Sequence, residues 1–270
     1  MSNAAQPAST PVVLESRTAG VLTITMYRPD RLNALNVELG TALVAALRRA
    51  AVDDSVRSIV LTGAGRAFCS GGDLTLLRDA RQRNAGHELE GLLRAGMEIV
   101  LAIADLHKPI LAAVNGPAAG AGMNLALACD LCIASDQATF GENFARIGLY
   151  PDFGGTVLLP RLVGPARAAE LFYTGEMISA AEALRLGIVN HVVAQDHLPA
   201  EAAALAERLA AAPPLAAGAV RRVLFGGDRA ALERALEAEI HQQIKCFQSE
   251  DFLEGLNAFF EKRPPRFRGV

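Results

Sequence analysis

The chain has 270 residues, a formal net charge of −3, 51% apolar and 20% charged residues, four cysteines and no tryptophan. That apolar fraction excludes a disordered chain, and the near-neutral charge gives no electrostatic footprint for nucleic acid or an anionic membrane. Cysteines at 69, 129, 132 and 246 are too few and too scattered for a disulfide scaffold. A chain this long buries about three quarters of its unfolded surface, enough for one large α/β domain.

Residues 1–11 read as a flexible tail. MSNAAQPAST has neither the basic start nor the apolar run of a secretory signal. With no sign of disulfides, that points to the cytoplasm. Residues 12–15 and 21–26 are expected as paired strands around a turn through Thr18, Ala19 and Gly20. Asn36 is placed to cap a helix to about residue 51, with Leu39, Leu43, Ala46, Leu47 and Ala50 along one face. Residues 58–61 read as a buried strand and 62–72 as a loop. The polar run RDARQRN (78–84) is expected as a solvated loop, ahead of a long helix from about 87 to 106.

Between Lys108 and Asp130 lie 21 uncharged residues, PILAAVNGPAAGAGMNLALAC. The length suits a membrane span, which takes about 20 apolar residues. Two prolines, two asparagines and three glycines argue against one, because freed backbone groups have no partner in lipid. The run divides instead into a strand at 110–114, a turn at 115–120 and a helix at 121–129. A strand at 131–134 and a turn-rich loop at 148–155 follow. Ser179 and Glu182 form a capping box, Gly187 closes that helix, and 189–193 is the last strand. From Asp196 onward the pattern is helical. Strands and helices alternating through residue 195 form the core of an α/β fold, and residues 196–270 form a helical arm of the same domain.

Most chemical signals in this pattern are weak. GAGRAF (63–68) begins like a dinucleotide-binding turn but has Phe68 at the third glycine position. Cys129 and Cys132 match CxxC, yet they straddle a buried helix-to-strand junction with no histidine beside them. Ser70 lacks the GxSxG setting of a serine nucleophile. Two loops carry more information: CSGGDL (69–74) follows a strand, and GPAAGAGM (116–123) precedes a helix. Small residues in both let backbone N–H groups approach a ligand, and such donors can converge on a developing oxyanion. Two ordinary tight turns would leave the same pattern.

Over residues 12–265 the chain resembles the crotonase (enoyl-CoA hydratase/isomerase) superfamily. The matching blocks run in order: RPDRLNALN (28–36), GRAFCSGGDL (65–74), KPILAAVNG (108–116), LALACD (125–130), FGGT (153–156), LPRLVG (159–164), SAAEALRLG (179–187), SEDFLEG (249–255) and FFEK (259–262). The resemblance implies a spiral of ββα units with a C-terminal helical arm, assembled as a homotrimer or a dimer of trimers. It also implies an acyl-CoA thioester substrate whose carbonyl is held by the backbone N–H groups of Gly72 and Ala121. Contacts to coenzyme A would come from Arg31, Leu32, Ala67, Ser70, Asp73, Leu74, Phe259 and Lys262. No separate cofactor is implied, because coenzyme A is part of the substrate.

The hydratases of this superfamily use two glutamates, and the matching positions here hold Asn124 and Phe144. Asparagine can hold a water but cannot act as a general base, and phenylalanine can do neither. An acid stands nearby instead, in YPDFGGT (150–156). This resembles the single-carboxylate acyl-CoA isomerases of the phenylacetate-degradation type and makes Asp152 the expected acid/base. Glu142 is a backup acid, expected in a surface loop. The alternatives are a hydratase using Glu142 or Asp152 with a water held by Asn124, and a non-catalytic acyl-CoA-binding protein.

Overall fold

The computed structural model describes residues 11–225 and 229–270, so most of the expected tail lies outside the described residues. β1 (Val13–Thr18) and β2 (Val21–Met26) form the expected antiparallel hairpin. Asn36 accepts from the Leu39 N–H at 2.9 Å and caps α1 (Val37–Val52), which buries the expected face. β3 (Ser58–Gly63) is followed by α2 (Leu74–Gln82) and α3 (Gly86–Ala104). The polar run at 78–84 is therefore largely helical. Leu77 and Ala80 are buried, while the Arg78 guanidinium lies 4.3 Å from the centre of the Phe260 ring. The run is the outer face of a short helix, and its high charge hides a narrow apolar stripe.

The bland segment folds as β4 (Ile110–Val114), β5 (Ala118–Ala119) and α4 (Ala121–Leu127). β6 (Leu131–Ser135) and β7 (Thr139–Gly141) come next, and a short 3-10 turn at 143–147 leads through the loop to α5 (Gly155–Val163). Then come α6 (Pro165–Thr174), β8 (Met177–Ser179), α7 (Ala180–Arg185) and β9 (His191–Val193). Ser179 accepts from the Glu182 N–H at 3.2 Å, but the Glu182 carboxylate turns to Arg185 rather than back to the cap. Only half of the capping box forms. The last strand is also shorter than expected, because the Ile188 and Val189 N–H groups are spent on the Ala183 carbonyl.

Six strands make the main sheet in the order β1-β2-β3-β4-β6-β9, parallel from β2 onward. Its central strands are buried almost without interruption, as expected for a sheet covered on both faces. A smaller sheet, β5-β7-β8, stands beside it. The arm is α8 (Leu198–Ala210), α9 (Pro214–Phe225), α10 (Arg229–Gln248) and α11 (Glu250–Glu261). α8 covers the outer sheet face around Val60, Leu111 and Ile133. α10 packs on α3 and α5, and α11 on the turn at 143–147, which closes the inner side. Among the described residues no helix is long and apolar enough to cross a membrane.

Candidate active site

Two loops meet above the inner face of the main sheet. Leu35 pairs with Gly72, and Cys69 with Ala118, as isolated bridges. The bonds are the Leu35 N–H to the Gly71 carbonyl at 2.7 Å, the Asp73 N–H to the Leu35 carbonyl at 3.0 Å and the Ala119 N–H to the Cys69 carbonyl at 3.0 Å. The Gly72 and Ala121 amides stay outside this pattern. Among the described residues, neither the Gly72 N–H nor the Ala121 N–H, in the first turn of α4, donates a hydrogen bond. Both are therefore available to a ligand. Gly71 makes the approach possible: it sits at φ +91°, and a Cβ there would lie 2.8 Å from the Ala119 carbonyl oxygen.

The loop is braced from behind. The Asn33 Nδ2 donates to the Ala64 and Ala67 carbonyls at 2.9 and 2.8 Å, and the Asp73 carboxylate pairs with Arg28 at 3.1 Å. Asp73 and Ala67 are buried parts of this brace.

The acid stands across the cavity. Asp152 precedes Phe153, which is held at φ +53°, and Gly154, the left-handed residue just before α5. Gly96 on α3 leaves the space that Phe153 fills, since a Cβ there would sit 2.1 Å from the ring. Asp152 is 7% exposed. Its Oδ2 accepts from Gln243 Nε2 at 3.0 Å, while its Oδ1 is buried without a partner. Burial pushes the carboxyl up to about 8, against the Gln243 hydrogen bond, and the charge of Glu239 adds to the rise.

These groups share a cavity of about 170 Å³. Of the expected residues, Ser70, Gly72, Leu74, Ala121, Asp152 and Phe259 line it. Arg31, Leu32, Ala67, Asp73 and Lys262 do not, and Arg31 and Lys262 are exposed. Phe144, Leu149 and Phe153 supply an apolar wall. A wider depression of about 640 Å³ near the C terminus is lined by mutually paired charges such as Arg263 and Glu254, and it brings together no comparable set of groups.

Two expectations need correction. Glu142 is fully buried rather than in a surface loop, because β7, which it follows, is the middle strand of the small sheet. Its Oε2 accepts from Asn124 Nδ2 at 3.4 Å, and burial holds its carboxyl well above the usual range, helped by the charges of Asp152 and Glu239 and opposed by that hydrogen bond. Asn124 also lies off the cavity lining. Its Nδ2 donates to the backbone carbonyl of Asp152 at 2.8 Å, so it clamps the acid's main chain from behind.

Gln243 and Glu239 were missed. Both lie on α10 and are almost fully buried. Their one signal in the sequence is position: 236, 239, 240, 243 and 247 share the helix face that the apolar pattern assigns to the core. Among the described residues, no group of three or more His, Cys, Asp or Glu could hold a metal ion.

The model of the enoyl-CoA hydratase/isomerase family matches residues 16–270. The chain belongs to the enoyl-CoA hydratase/isomerase family. It is 46% identical over 251 residues to a probable enoyl-CoA hydratase of Rhodobacter capsulatus, covering 93% of this chain and 95% of that one. It is 39% identical, with the same coverage, to the 1,2-epoxyphenylacetyl-CoA isomerase of Escherichia coli K12. The crystal structure of a carnitinyl-CoA hydratase from Mycobacterium avium superposes with a TM-score of 0.85 at 36% identity, over 97% of this chain and all of that one. The spiral fold with its C-terminal helical arm is thus the fold of this enzyme family. Its relatives include both hydratases and an isomerase.

Proposed function

We propose that this family member is an acyl-CoA isomerase that moves a carbon–carbon double bond, or rearranges a ring-derived thioester, with Asp152 as its single acid/base. The observation that carries this reading is the cavity lining: among its residues Asp152 is the only carboxylate, and it shares the cavity with the free amides of Gly72 and Ala121. The Asp152 carboxylate takes a proton from C2 of a 3-enoyl thioester. The two N–H groups stabilise the dienolate oxygen as charge develops there. The protonated acid then returns the proton to C4 and leaves the conjugated 2-enoyl thioester. The apolar wall keeps water from the dienolate, and a carboxyl near 8 is a stronger base than an ordinary one.

Hydration needs a water that is both held and activated. The two side chains that could share that work with Asp152, Asn124 and Glu142, lie behind the wall. The names of the relatives allow either chemistry, so the test compares rates in one preparation. With trans-3-hexenoyl-CoA the conjugated product should form faster than crotonyl-CoA is hydrated. Faster hydration would support the hydratase reading. Tight binding of both thioesters with turnover of neither would support a binding protein.

A further inference from the structure

Asp152 has two chemically equivalent oxygens, and the arm treats them differently. Glu239 and Gln243 stand one helical turn apart on α10, so both face the loop that carries the acid. Glu239 accepts from the Gly154 N–H at 2.8 Å, from the Thr156 N–H at 3.1 Å and from the Thr156 hydroxyl at 2.5 Å. Gln243 Oε1 accepts from the Tyr150 N–H at 2.8 Å. A backbone N–H can only donate, so that contact fixes which end of the Gln243 amide is oxygen. The NH2 end must then face Asp152 Oδ2, at 3.0 Å. An amide NH2 cannot accept, so a proton on Oδ2 would find no acceptor in Gln243 and would weaken the bond that Oδ2 accepts. The other oxygen, Oδ1, is buried with no partner on a residue that lines the cavity.

We propose that Gln243 is the positioning residue that reserves Oδ1 of Asp152 for the proton in transit. The inference rests on the reading of Asp152 as the acid/base. Gln243 keeps Oδ2 as a permanent acceptor and aligns the carboxylate plane through the Tyr150 contact, so one oxygen takes the proton from C2 and gives it to C4. The other titratable groups facing Asp152 are Glu142, which follows β7, and Glu239 on α10. α4 contributes only the neutral Asn124, and Arg146 lies on the same cavity wall. None of these donates to Oδ2.

The test measures kcat and KM for trans-3-hexenoyl-CoA against pH in the parent, Gln243→Met, Gln243→Glu and Asp152→Asn. Gln243→Met keeps the side-chain length but removes the donor. It should lower kcat about 10- to 100-fold with KM within about threefold. It should also move the acid limb of the profile upward by about one unit, because the carboxylate loses a hydrogen bond that favours its charged form. Gln243→Glu keeps the shape and the Tyr150 contact but sets a second carboxyl against Oδ2. It should move the limb upward at least as far, and it carries the test if the Met variant does not fold. A residue that only packs the arm would change melting and leave the limb where it is. Limb and kcat unchanged in the folded variants, with Asp152→Asn inactive, would overturn the role of Gln243 and leave Asp152 standing. An active Asp152→Asn would remove the acid/base reading and this inference with it.

Discussion

The two sides of the cavity are built on opposite plans. The side that holds Gly72 and Ala121 is made of main chain: its donors are amides, its shape comes from bridges between short segments, and its side chains are small. The side that holds Asp152 is made of side chains: Gln243 and Glu239 reach it from roughly ninety residues away, and Asn124 clamps its backbone. A site of the first kind is indifferent to many substitutions provided the amide and its direction survive. A site of the second kind depends on each partner.

The sharpest way to break the main-chain side is to delete an amide without adding bulk elsewhere. Ala121→Pro does so at the first position of α4, where proline is tolerated. It should lower kcat about 10²- to 10³-fold with the fold retained by circular dichroism. Gly71→Ala tests the backbone shape. It forces a Cβ against the Ala119 carbonyl at positive φ, and should cost about 1–3 kcal/mol in denaturant unfolding.

On the side-chain side, chemistry and stability should pull apart. The Asp152 carboxyl is raised from 3.8 to about 8 in the folded protein. Its burial is therefore harmless below pH 4, where both states are protonated, and costs stability increasingly as pH rises toward 8. Asp152→Asn keeps an acceptor for Gln243 and removes that cost. It should raise the melting temperature at pH 8 by several degrees, with the gain vanishing below pH 4. The smallest effect is expected from Gly72→Ala. A Cβ there meets only Leu77 and Leu92, at 3.6 and 3.9 Å, and the N–H remains. Turnover should stay within about 0.5 kcal/mol of the parent, roughly twofold.

The same contrast explains how much could be read in advance. The main-chain side was legible because glycines and alanines at loop tips announce close backbone approach, and Gly72 and Ala121, from the two small-residue loops, line one cavity. The bland segment resolved into strand, turn and helix for the same reason. Asp152 was legible through its motif. Its environment was not, because Gln243 and Glu239 lie far along the chain and burial is a tertiary property. Glu142 was misplaced on that account: a polar residue in a short turn-rich stretch reads as exposed, and only the pairing of β7 on both edges buries it. The polar face of α2 misled in the same way, since its charges meet the arm rather than solvent alone.

The most direct test of the central claim is the pH dependence of kcat/KM for trans-3-hexenoyl-CoA in the parent and in Asp152→Asn. With Asp152 as the only base, activity should rise with pH to a plateau above about 8, the form in which the carboxylate is charged. In the variant it should fall by about 10³-fold or more, and the limb should disappear. A variant that keeps the parent's rate and the parent's limb would contradict the single-carboxylate mechanism outright.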